Sequence, residues 1–83
     1  MDWPPWWTWE LELTPHLERR MEDRDFSEVD LRRMLAVASR YLPDVVLGRF
    51  AVDTRHSARR WIVIVEPDAA EQLLVVITAY PLP

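Results

Sequence analysis

The stretch "TPHLERRMEDRDF" (14–26) sets His16, Arg20 and Arg24 four residues apart. On an α-helix that spacing stacks the three along one line. Imidazole gives and takes protons near neutral pH, and guanidinium forks grip phosphate or carboxylate oxygens in pairs. The chemistry of such a ridge is to hold an anion and move a proton to or from it. A structural reading competes. Two arginines at i and i+4 repel by about 0.2–0.5 kcal/mol, and Asp23, Glu12 or Glu66 would neutralise the ridge and leave it a solvated face. A second cationic cluster spans 49–60, where Arg49, Arg55, Arg59 and Arg60 stand against Asp53 alone, with His56 among them.

Other chemistries find no support. The two histidines lie forty residues apart with no cysteine in the chain, which gives no zinc-ligand spacing. Gly48 is the one glycine, so no glycine-rich phosphate loop exists; inside a strand it reads as a bulge or a close approach. Ser27 and Ser57 lack a triad or nucleophile-elbow context. Neither a metal nor a cofactor is implied. The net charge of −4 speaks against a nonspecific nucleic-acid binder. All ten basic residues are arginine, which suits phosphate recognition, although codon bias in a GC-rich genome accounts for most of the excess.

These residues need elements to position them. The 83 residues read as one domain, 1–83. Residues 1–8 form a Trp/Pro-rich arm whose prolines at 4 and 5 favour extended chain. "WTWELEL" (7–13) alternates as a half-buried strand. Thr14-Pro15 reads as N-cap and first helical position of a helix over 15–24, with Leu17 and Met21 as its apolar stripe. Ser27 and Asp30 form a variant capping box for a second helix, 28–42, burying Leu31, Met34, Leu35, Ala38 and Tyr41 or Leu42. Strands follow at 45–53, 60–66 and 72–80, joined by short hairpin connections. The predicted fold is α+β, β-α-α-β-β-β, with two helices packed on one face of a curved antiparallel sheet. The last two strands are apolar on both faces. Two helices cover one face, so the other calls for the tryptophan arm, a second subunit or a partner protein.

The helical stretch "LTPHLERRMEDRDFSEVDLRRML" resembles a family of small bacterial domains catalogued as domain of unknown function 4258. Its members open with a strand ending in Thr/Ser-x-His or Thr-His. Arg-Met follows four and five residues on, then a second Arg, a small turn, a hydrophobic residue and a Ser/Thr-capped helix. His16, Arg20, Met21, Arg24, Phe26 and Ser27 match these positions, with Asp25 where the turn usually has glycine. "LLVVITAYP" resembles the family's last strand, with Thr78 and Tyr80 in its Thr-x-Tyr ending. The resemblance covers roughly residues 9–81.

That family is similar, distantly, to the RelE/ParE-type toxin fold. The resemblance implies a cytoplasmic bacterial toxin of a toxin–antitoxin pair that cleaves RNA without a metal and is restrained by an antitoxin protein. Such cleavage needs a base, an acid and cations for the phosphoryl charge. Under that reading His16, Arg20, Arg24 and Tyr80 form the catalytic set, and Arg49, His56, Arg59, Arg60 and Thr78 contact substrate. Each has a structural alternative: His16 bonding locally at its helix start, His56 an ordinary loop residue, Arg59 and Arg60 solubilising an edge, Thr78 and Tyr80 forming strand. Trp3, Trp6 and Trp7 could stack bases or cover apolar sheet. The alternative function is a non-catalytic interaction module that docks an acidic partner or forms a homodimer. The opening residues lack a secretory-signal pattern, and the longest apolar runs are too short to span a membrane as helices.

Overall fold

A computed structural model describes residues 2–83. The chain opens with a 3-10 turn, Pro5–Thr8, and then runs β1 (Glu10–Leu13), α1 (Pro15–Arg24), α2 (Glu28–Ala36), β2 (Arg40–Pro43), β3 (Phe50–His56), β4 (Arg59–Asp68) and β5 (Leu73–Pro81). Two helices and one open five-stranded sheet make an α+β domain. The strand order is β1-β5-β4-β3-β2. β2 through β5 form an antiparallel meander, while β1 lies parallel to β5. The sheet is therefore mixed rather than antiparallel, and it has a strand that the sequence reading lacked. The strands apolar on both faces, β4 and β5, are interior ones. The edges β1 and β2 are four residues each, and short edges limit unwanted pairing.

α1 begins where the sequence places it. The Thr14 hydroxyl oxygen accepts the Leu17 N–H at 3.0 Å, with Pro15 in the first turn. The same hydroxyl sits 3.2 and 3.1 Å from the Val76 and Ile77 carbonyls, so the cap also ties the helix start to β5. α1 ends at Asp25, which takes the left-handed conformation with φ 53°. The Phe26 N–H then donates back to the Met21 carbonyl at 3.1 Å, the bond of a Schellman closure. The capping box of α2 is complete: Ser27 Oγ accepts the Asp30 N–H at 3.1 Å, and Asp30 Oδ2 accepts the Ser27 N–H at 2.9 Å.

α2 stops at Ala36, six residues before the predicted end. No glycine or proline marks that stop; tertiary contacts impose it. The Thr54 hydroxyl donates to the Met34 carbonyl, and the Ser39 N–H donates to the Asp53 carbonyl at 2.9 Å. The tail that reads as helix becomes β2, with Arg40 opposite Asp53 and Tyr41 opposite Val52. The predicted strand 45–53 is corrected in turn. Residues 44–49 are a turn carrying Gly48 at φ +85° with open space around its α-carbon, and the strand starts at Phe50. Gly48 is thus a turn residue, not a bulge or a close approach.

Leu17, Leu31, Met34, Val52, Val63, Val65, Leu74 and Val76 are each at most 2% exposed and form the core between helices and sheet. Full burial of one such side chain contributes about 1.5–3 kcal/mol. The arm does not cover the opposite face. Trp6 packs on Phe50 (ring centroids 5.1 Å) and edge-on against Tyr41 (5.4 Å), and Trp3 stacks on Trp7 at 4.2 Å. Phe50 and Tyr41 share the helix side with Val52. The tryptophans thus extend the layer that the nine residues of α2 are too short to complete. Trp7 belongs to the 3-10 turn rather than to the predicted strand 7–13, because Pro4 and Pro5 start a tight turn closed by the Trp7 N–H on the Pro4 carbonyl at 3.0 Å.

Candidate functional site

Two of the three ridge side chains already have protein partners. Arg20 Nη1 lies 2.8 Å from Asp23 Oδ2. Arg24 Nη1 donates to the Ala79 carbonyl at 2.7 Å and clamps the end of α1 to β5. His16 is exposed at the second position of α1. Neither the cavity of about 380 Å³ beside Arg40 nor the one of about 270 Å³ beside Trp7 is lined by any of the three.

Thr78 and Tyr80 do not join them. Thr78 pairs with Ile64 and Tyr80 with Ile62, so strand alternation turns both side chains to the face opposite the helices. The sheet stands between the proposed acid–base ridge and its proposed second wall. His56 is the last residue of β3, paired with Arg59, not a hairpin tip. Its ring packs edge-on against Trp61 with centroids 5.5 Å apart. Arg49 pairs with Glu66 at 3.1 Å, and Arg59 donates to the Leu82 carbonyl at 3.2 Å. Most of the arginines read as phosphate contacts therefore already have protein acceptors.

The basic residues that do converge lie elsewhere. Arg40 Nε is 3.2 Å and Arg60 Nη2 is 2.8 Å from the same oxygen of Asp53. Asp53 is 13% exposed, whereas the two arginines are about half exposed. The hydrogen bond from Arg60, more than the one from Arg40, holds the Asp53 carboxyl below the ordinary aspartate range against the opposing effect of burial. Arg55 sits directly across β3–β4 from Arg60. A cavity of about 380 Å³ opens beside them, with Val37 and Ser39 on its rim. The sequence reading placed Arg55 and Arg60 in one cationic cluster but put Arg40 on a helix. The missing signal was the 40–53 pairing, which no local pattern encodes.

The uncovered face of the sheet is the other feature of note. Ile62, Ile64, Leu73, Val75, Thr78 and Tyr80 project there, by pairing register; Ile64 is 7% exposed, shielded by its neighbours, and the others are half-buried or exposed. Leu42, at the β2 edge, is 50% exposed, and the adjoining turn presents Val45 and Leu47 at 99% and 98%. Glu10 and Glu12 flank this face at the β1 edge, in register with Leu73 and Val75, and the arginine cluster occupies the opposite corner. Among the described residues no group of three or more His, Cys, Asp and Glu side chains is placed to hold a metal ion, and no helix is long and apolar enough to cross a membrane.

In comparisons with known proteins the chain matches no family model, and no curated protein or solved structure is significantly similar to it.

Proposed function

We propose that the chain is a toxin-like small domain that works by binding a protein partner across its uncovered sheet face. The observation that carries this reading is the sheet with helices and tryptophans on one side and no layer on the other. The nearly fully exposed Val45 and Leu47 beside it add apolar surface of the kind that marks interaction sites. The register shift between Ile64 and Val65 supports a sheet curved around its helices, since a bulge bends its strand. The partner in this reading is an antitoxin protein; a second copy of the chain is the alternative occupant that the experiment separates from it. The experiment is sedimentation of the purified chain, alone and with the product of the adjacent gene, beside Ile62→Glu and Leu47→Asp variants. Assembly that both substitutions weaken by at least about tenfold is the expected outcome. A chain that stays monomeric at high concentration, takes no partner and resists protease by itself overturns the proposal.

The second reading is metal-independent RNA cleavage in the same toxin-like frame. It is favoured by the exposure of His16, which keeps an imidazole accessible on the border shared with Arg20. The structural duties of Arg20 and Arg24 weigh against it. Total RNA incubated with the chain plus chelator, beside His16→Ala, separates the two readings. Equal cleavage by both proteins, or none by either, removes the catalytic reading and leaves the binding one intact.

A further inference from the structure

Three guanidinium groups share one corner of the sheet with a single carboxylate. β2 begins at Arg40 opposite Asp53, so from Thr54 onward β3 has no strand neighbour on that flank. The step so formed is the cavity of about 380 Å³. Arg40 and Arg60 both spend one N–H on the same Asp53 oxygen and keep their remaining donors free. Arg55 has neither an ionic nor a hydrogen-bonding partner among the described residues. It stands directly opposite Arg60 in the β3–β4 register, an arrangement in which like charges destabilise a sheet. Three positive charges against one negative leave a surplus of two. An anion in the corner would offset that repulsion.

We propose that this notch is a binding site for a dianionic phosphate monoester, gripped by Arg40, Arg55 and Arg60 and oriented by Asp53. The charge matches: a phosphate monoester carries about −1.5 to −2 near neutral pH, whereas a carboxylate or a backbone phosphodiester carries one negative charge. The geometry matches as well, because guanidinium forks on neighbouring strands present paired donors to several oxygens of one group. Asp53 fixes the Arg40 and Arg60 heads in place before the ligand arrives, which lowers the ordering cost of binding. The exposed Val37 side chain on the rim offers apolar contact to whatever carries the phosphate. The site lies apart from the helical ridge, at the β2–β3 corner of the same far face that carries Ile62.

The test is a titration of backbone amides by NMR at fixed ionic strength and about pH 7.5, where the monoester is mostly dianionic. Inorganic phosphate is one arm. A 5′-phosphorylated dinucleotide and its 5′-hydroxyl counterpart form the second, and acetate the third. Phosphate and the phosphorylated dinucleotide are expected to shift residues 39–40 and 53–60 saturably, with the phosphorylated dinucleotide the tighter if a nucleotide end is the natural source. The 5′-hydroxyl form and acetate are expected to bind at least about tenfold more weakly. Arg55→Gln is expected to lose about tenfold in phosphate affinity while melting no lower than the parent, because it removes the repulsion with Arg60. Arg19→Gln, on the exposed side of α1, keeps parental affinity. Should Arg55→Gln melt lower, Arg55→Lys carries the test: it keeps the charge and removes the fork, and a loss of about threefold or more supports the site. Equal binding of acetate, parental affinity in the arginine variants, or shifts confined to other residues would each reduce the notch to a bare patch of charge.

Discussion

At the scale of single residues, Asp53 organises the most strongly charged corner of the protein. One of its oxygens accepts from Arg60 and from Arg40, and its carboxyl is held below the ordinary range chiefly by Arg60. A carboxyl depressed in the folded state stabilises the fold at pH values above its unfolded pKa. That contribution fades as pH falls from about 4 through the lower folded value. Urea midpoints measured between neutral and acid pH are therefore expected to fall below about pH 4 in the parent, with a shallower decline in Asp53→Asn. An acid limb of the same slope in both proteins would place the acid sensitivity elsewhere. Asp30 is displaced in the same direction, mainly by the Ser27 backbone N–H, but it is exposed and its part is small. Trp61 shows the opposite situation. Its ring packs edge-on against Phe26 at 5.2 Å, yet its buried indole N–H lacks a hydrogen-bond acceptor among the described residues, a cost tolerated for the apolar burial of the ring.

At the scale of elements, the β3–β4 hairpin carries local strain. Its two-residue turn, Ser57-Ala58, has φ of 51° and 63°, the left-handed pair of a type I′ turn. That turn matches the twist of the flanking strands and favours Asn-Gly, because a β-carbon is disfavoured at positive φ. Ala58→Gly is expected to raise stability by about 0.5–1 kcal/mol, read as a higher urea midpoint at unchanged slope. A lower midpoint would mean that the alanine methyl packs usefully. The hairpin held here carries Arg55 and Arg60, so the turn also fixes the register that sets the two opposite each other. β4 shows how local chemistry follows position. Pro67 lies beyond the last β3 pairing, Phe50 with Val65, where only β5 remains as neighbour, and a missing N–H is tolerated on an open flank.

At the scale of the whole molecule, the sheet is half-covered. α1 lies over β5, α2 over β3, and Trp6 and Trp7 finish the layer at the end of the core. The far face is apolar in its centre, basic at the β2–β3 corner and acidic along β1. If the proposed assembly forms, Ile62→Glu disrupts it by leaving a charge in the centre of the buried surface, whereas the isolated chain keeps its fold because Ile62 lies outside the core cluster. Loss of assembly with a retained melting temperature is thus the signature to look for; joint loss of both would make Ile62 a folding residue.

The sequence by itself determined the capped helix 15–24, the capping box at Ser27, the start of α2 and the apolar strands β4 and β5. These rest on local hydrogen bonds and on side-chain period, which a few consecutive residues encode. It also exposed the imbalance between one helix-covered face and strands apolar on both. Only the tertiary structure decided that 40–43 leaves the helix for the sheet edge and that β1 lies parallel to β5. Only it separated Thr78 and Tyr80 from the His16 ridge, and only it brought Arg40 beside Asp53, Arg55 and Arg60. Those outcomes depend on register between segments far apart in the chain, where a shift of one residue turns every side chain to the other face. Arginine spacing along the chain carries no trace of that choice.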